Sequence, residues 1–187
     1  MKFFYLYIML LSFINTHTNK STNTIVLVPM KTQNTIVLSH KKNLYVIIKK
    51  YEGVRLHKYY DGNGKDNRGT IGYGHLIKSN ENIPNVISED YAMDLLYNDV
   101  KYIYNYISNR FPDLHENQKC ALVDFAFNLG IGTLSRSTIP NLIKTGEYDK
   151  VPNEIIQYCY YNGKVHRGLK ERRMVEIKMW NQCQIHQ

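Results

Sequence analysis

Between Asn43 and Ser108 the hydrophobic repeat changes twice, and that change limits the folds open to this chain. Leu44, Ile47, Ile48 and Tyr51 recur at i, i+3, i+4 and i+7, which predicts a short amphipathic helix capped by Asn43 and stopped by Gly53. From Val54 to His75 the pattern gives way to aromatic, glycine and polar residues. Asp61-Gly62-Asn63-Gly64 and Arg68-Gly69 act as turn signals there, so short antiparallel strands are expected. After Pro84 the helical repeat returns, capped by Ser88 with Glu89 and Asp90 in the first turn, and runs to about Ser108. Further helices are expected from Glu116 to Leu129, Ser137 to Thr145, Pro152 to Tyr161 and Leu169 to Trp180. This order predicts an α+β, two-lobed fold over Asn43 to Gln187, with a small hairpin lobe joined by one long helix to an all-helical lobe.

Two acids are out of place in this pattern. Glu52 falls in the last turn of its helix, where a negative charge opposes the helix dipole. Asp99 lies on the apolar stripe formed by Ala92, Leu95, Leu96, Ile103 and Tyr106, so it needs a partner. Hydrolysis of a glycosidic bond takes one acid to protonate the leaving oxygen and a second carboxylate to direct water, facing each other across a cleft. Glu52 at a helix end, with Asp61 at the tip of the adjoining hairpin and Thr70 beyond it, is one such arrangement. Acids at helix ends and Asp-Gly turns are common on surfaces, so spacing alone does not separate this group from ordinary surface charge.

Further residues sharpen the reading. Glu52-Gly53-Val54-Arg55-Leu56-His57-Lys58-Tyr59-Tyr60-Asp61, followed by Thr70-Ile71-Gly72-Tyr73-Gly74-His75, resembles the signature of the T4-type phage lysozymes, the endolysin muramidases of glycoside hydrolase family 24. Leu95 to Val100 resembles the start of that family's connecting helix. Cys120 to Gly130 resembles its central buried helix, and Gly168 to Arg173 with Glu176 its closing segment. The resemblance implies that Glu52 is the general acid and that Asp61 and Thr70 hold the attacking water on the opposite sugar face, giving inversion. It implies cleft contacts from Leu76, Phe127, Asn128 and Ser137, although one face of the helix bearing Phe127 must be buried in any case. It also implies an ion pair between His75 and Asp99. Arg167, Arg172 and Arg173 are candidates to orient Glu52 or to bind substrate carboxylates, with a solvated basic face expected for at least two of them. The stretch from Gly62 to Gly69 is longer than the family's usual spacing and adds a rival carboxylate, Asp66.

The remaining expectations concern location and partners. Lys2 followed by the apolar run Phe3 to Ile14 predicts a signal peptide over 1–22, with a retained anchor as the alternative, and 23–42 reads as a linker. The formal net charge of +8 favours an anionic partner. With the resemblance in hand, that partner is bacterial peptidoglycan; the basic stretch from Lys164 to Lys178 lacks a nucleic-acid-binding module. No cofactor, metal or stable membrane span is expected, and the protein is expected to be secreted and monomeric. Chitin as substrate stays open, as does a non-catalytic wall-binding or defence protein on the same fold. Cys120 fits a core thiol, and pairing of Cys159 with Cys183 is left undecided.

Overall fold

The computed structural model describes residues 14–18, 25–29, 42–60 and 69–182. Strands β1 (Ile14–Thr18) and β2 (Ile25–Pro29) pair antiparallel with Ile14 opposite Pro29, joining parts of the predicted leader and linker. Helix α1 follows over 42–52. It already includes residue 42, so Asn43 lies inside the helix rather than capping it.

The small lobe is a three-stranded antiparallel sheet in the order β3 (Arg55–Tyr59), β4 (Thr70–Gly72), β5 (His75–Leu76). Its outer edge is covered, because Lys58 N–H donates to Asn85 O and Ile87 N–H to Leu56 O. The sheet meets helix α2 (Glu89–Arg110) at Gly72, where a Cβ would stand 3.4 Å from that of Ala92. Gly72 also has φ +68, so close approach and backbone handedness both favour glycine there.

Helix α2 starts where Ser88 Oγ accepts a hydrogen bond from Tyr91 N–H, and it buries Ala92, Leu96, Val100, Ile103 and Ile107. Helix α3 (Glu116–Leu129) is enclosed through the whole run Cys120 to Ala126 and packs against α2 and the C-terminal helix α7 (Arg167–Asn181). Between them lie α4 (Ile131–Arg136), α5 (Ile139–Lys144) and α6 (Val151–Ile155), with Ile139, Val151, Ile155 and Trp180 closing the core. The predicted α+β architecture is therefore the one observed. No helix among the described residues is long and apolar enough to cross a membrane.

Some predicted boundaries were wrong for physical reasons. The helix expected from Pro152 to Tyr161 ends early, in a 3₁₀ turn over Ile156–Cys159 where Tyr158 leaves helical geometry. A hairpin of β6 (Tyr160–Tyr161) and β7 (Lys164–Val165) follows, turning through Asn162 at φ 49 and Gly163 at φ 73. Asn-Gly between two short strands is a strong hairpin signal, and here it overrides the helical repeat. His166 then accepts from Leu169 N–H, so α7 begins at Arg167. Residues 131–136 form an additional helix that the sequence reading missed. Cys120 and Cys159 are buried, whereas Cys183 lies outside the described residues.

The sheet is tied to α2 by a charged group. His75 is 5% exposed, with Nδ1 2.8 Å from Asp99 Oδ2 and Nε2 3.0 Å from Glu81 Oε2. With a carboxylate on each ring nitrogen, the doubly protonated imidazolium is the form that satisfies both. The hydrogen bond to Asp99 raises the His75 pKa, outweighing burial, and Glu81 assists. Glu81 is lowered to about 2, chiefly by the Lys78 backbone N–H it accepts, with His75 adding to the effect. The linkage has a definite sign. Stability from His75 is fully present below its unfolded pKa of about 6.5 and is lost as pH rises through the raised folded value. Stability from Glu81 is present above its ordinary value and is lost as pH falls towards 2. The advantage of wild type over His75→Asn in urea denaturation is therefore expected to shrink from pH 5 to pH 8. An advantage constant across that range would mean that His75 carries no such proton.

Candidate active site

Glu52 ends α1 just before Gly53, which has φ +66 and lets the chain leave the helix for β3. Its side chain is 22% exposed, and its two oxygens meet different surroundings. Oε1 accepts from Arg172 Nη1 at 2.5 Å. Oε2 faces the turn between β4 and β5, where a Cβ on Gly74 would stand 3.8 Å away. Gly74 has φ +89, so the backbone of the turn favours glycine, while a Cβ there would make only ordinary contact with the acid.

Arg172 is the hub beneath this carboxyl. Its Nε and Nη2 donate to both oxygens of Asp124, at 3.1 and 2.9 Å, while Nη1 reaches Glu52. Such a fork-to-fork pair fixes the guanidinium plane as well as its charge. Burial alone would lower the Arg172 pKa, but Asp124 and Glu52 reverse this and raise it. Asp124 is fully buried on α3. Next along α7, Arg173 Nη2 donates to Glu176 Oε1 at 2.6 Å and to Asn128 Oδ1 at 3.0 Å. Tyr51, beside Glu52, lies under the Arg172 guanidinium at 5.4 Å from its ring centre.

The other predicted positions are distributed as follows. Thr70 opens β4, paired across the sheet with Tyr59 and Leu76. Asp61 follows Tyr59 by two positions and lies outside the described residues, as does Asp66. Leu76 is 49% exposed on β5. Phe127 and Asn128 are half-buried at the end of α3; the Asn128 carbonyl is used by Arg173, which leaves its amide as a donor. Ser137 caps α4 and gives its hydroxyl proton to Leu134 O, so only acceptor capacity is left for a ligand.

Of the three arginines, only Arg167 is solvated, in a pair with Glu171. Arg172 and Arg173 are buried, contrary to the expectation that at least two would line a solvated face. The acids beside them had no role assigned from the sequence: Glu176 entered only as part of the closing segment, and Asp124 was not singled out. A signal existed for Asp124: it is a lone carboxylate inside the apolar run from Cys120 to Phe127, the argument that singled out Asp99.

The comparisons with known proteins agree with this fold. The chain is 37% identical over 131 residues to the endolysin of Bacillus phage B103, covering 70% of this chain and 49% of that protein, so it spans about half the length of that relative. It is 32% identical over 136 residues to the endolysin of Acyrthosiphon pisum secondary endosymbiont phage 1, covering 70% of this chain and 90% of the relative. The muramidase domain of SpmX from Asticaccaulis excentricus superposes with a TM-score of 0.64 at 26% identity, covering 74% of this chain and 95% of the domain. Residues 49–176 match the family described as Phage lysozyme, which places both Glu52 and the Asp124–Arg172 pair inside the matched segment, and the chain belongs to that family.

Proposed function

We propose that the protein is a secreted, monomeric muramidase that hydrolyses the β-1,4 bond between N-acetylmuramic acid and N-acetylglucosamine in bacterial peptidoglycan, with inversion. The observation that carries this reading is the division of labour at Glu52, one oxygen held by Arg172 and the other facing the sheet lobe. A carboxyl fixed through Oε1 has Oε2 left to carry the proton, and it presents that proton in a constant direction to the glycosidic oxygen. Asp61 and Thr70 hold the water on the other face of the sugar. Their segment is anchored where β3 ends at Tyr59 opposite Thr70.

Leu76, Phe127, Asn128 and Ser137 line the cleft. Leu76 and Phe127 offer apolar surface to the sugar rings, and the Asn128 amide donates to an acetamido or peptide carbonyl. The family membership and the muramidase neighbour support the substrate class. The net charge of +8 supports dwelling on anionic wall, and the apolar leader from Phe3 to Ile14 supports export.

Digestion of purified peptidoglycan, with chitin in parallel, tests this. Muropeptides with new N-acetylmuramic acid reducing ends are expected, first appearing as the α anomer; new N-acetylglucosamine reducing ends would overturn the bond assignment. Binding to the wall without release of fragments would favour the non-catalytic alternative, for which the longer Gly62 to Gly69 segment is the supporting feature.

A further inference from the structure

The buried network behind Glu52 holds more acid than base. Glu52, Asp124 and Glu176 face Arg172 and Arg173, so full ionisation would leave one uncompensated negative charge in a site where Asp124, Arg173 and Glu176 have no solvent exposure. The excess can be located. Glu176 Oε1 accepts from Arg173, with Arg172 Nε 4.0 Å away, but Glu176 Oε2 has no hydrogen-bond donor among the described residues. The groups facing this carboxyl are Arg172 and Arg173 on its own helix, Asp124 on α3 and Tyr51 at the end of α1, with Glu52 on the far side of Arg172. Asp124 and Glu176 flank the same guanidinium nitrogen, Arg172 Nε, at 3.1 and 4.0 Å, and an ionised Asp124 has only acceptor oxygens. Two carboxylates drawn to one buried cation, with a third on its outer side at Glu52, cannot all stay ionised without a large cost.

We propose that Glu176 is kept as the neutral carboxylic acid, donating from Oε2 to Asp124, and that it is a positioning residue for the chain Asp124–Arg172–Glu52. One proton there satisfies the orphan oxygen, removes the excess charge of the fully ionised cluster and braces the carboxylate that grips Arg172. It also leaves the cluster neutral once Glu52 has given up its proton, so proton donation proceeds towards charge balance. Burial pushes the Glu176 pKa well above the usual carboxylate range, and Asp124 adds to this against the opposing pull of Arg173. The catalytic part of the proposal rests on reading Glu52 as the general acid; the protonation itself does not.

Glu176→Gln tests it, because glutamine keeps an acceptor for Arg173, supplies an N–H to Asp124 and cannot ionise. A folded state that retains a proton which the unfolded chain releases loses stability as pH rises from the ordinary glutamate value to the folded one. The folding constant of wild type relative to Glu176→Gln is therefore expected to fall about tenfold per pH unit above pH 5 until Glu176 ionises. A pH-independent ratio would overturn the proposal and leave Glu176 an ionised partner of Arg173, whose Nε–H has no acceptor among the described residues either. Should Glu176→Gln fail to fold, carbon-13 NMR of glutamate carboxyls in Glu52→Gln provides the reading: one carboxyl still protonated at pH 7 is expected, and none would refute it. In peptidoglycan lysis, Glu176→Ala is expected to lose about tenfold or more through misplacement of Glu52, with glutamine restoring most of the loss. Equal rates for the two variants would remove the positioning role. Lysis by wild type tests the enzymatic reading separately, since the folding and NMR measurements need no activity.

Discussion

Glu52→Gln is expected to lower the rate of peptidoglycan lysis by about a thousandfold while the protein stays folded and wall-bound, because glutamine has no acidic proton to give a leaving alkoxide. The variant keeps the shape of the carboxyl and an oxygen to accept from Arg172, so the contact at Oε1 survives the change. Turbidity loss of a wall suspension, measured beside a wall-sedimentation assay, separates chemistry from binding. Lysis at the wild-type rate would show that Glu52 is not the acid, and the lengthened segment before Thr70 would then need a new reading. Loss of binding together with lysis would show that the carboxyl chiefly holds substrate.

The second large effect is expected at Arg172. Arg172→Met removes the cation between a fully buried Asp124 and Glu52, leaving Asp124 without a counter-charge, and should destabilise the fold by about 3–5 kcal/mol. Arg172→Lys should recover little, since one ammonium cannot span both oxygens of Asp124 and still reach Glu52. Chemical denaturation at pH 7 measures both. The double variant Arg172→Met, Asp124→Leu is the informative control: removing both charges should return much of the stability, while lysis stays impaired because Glu52 has lost its support. If the double variant lysed walls normally, Arg172 would matter for folding alone.

Much of this arrangement is legible in the chain, for local reasons. The switch from helical to hairpin pattern at Gly53 depends on neighbours a few residues apart, and it sets Glu52 at its helix end. Asp99 stands out because an acid on a stripe of Ala92, Leu96 and Ile103 contradicts its surroundings. The polar face of α7 was not legible. Arg172, Arg173 and Glu176 have the pattern of a solvated charged helix, and what buries them comes from Asp124, 48 residues away, and Glu52, 120 residues away. Periodicity reports whether a face is apolar. It does not report whether distant charges neutralise one that is not.

That separation of 120 residues also bears on when the site comes into being. During synthesis α1 and the sheet leave the ribosome long before α7, so Glu52 exists for most of that time as a surface acid with no guanidinium to hold it. The acid is placed only after Arg172 has emerged and the last helix has docked against α3. The support for Glu52 is thus the last part of the site to be completed, and a chain cut short before residue 172 would carry every residue of the signature around Glu52 without the contact that aims it.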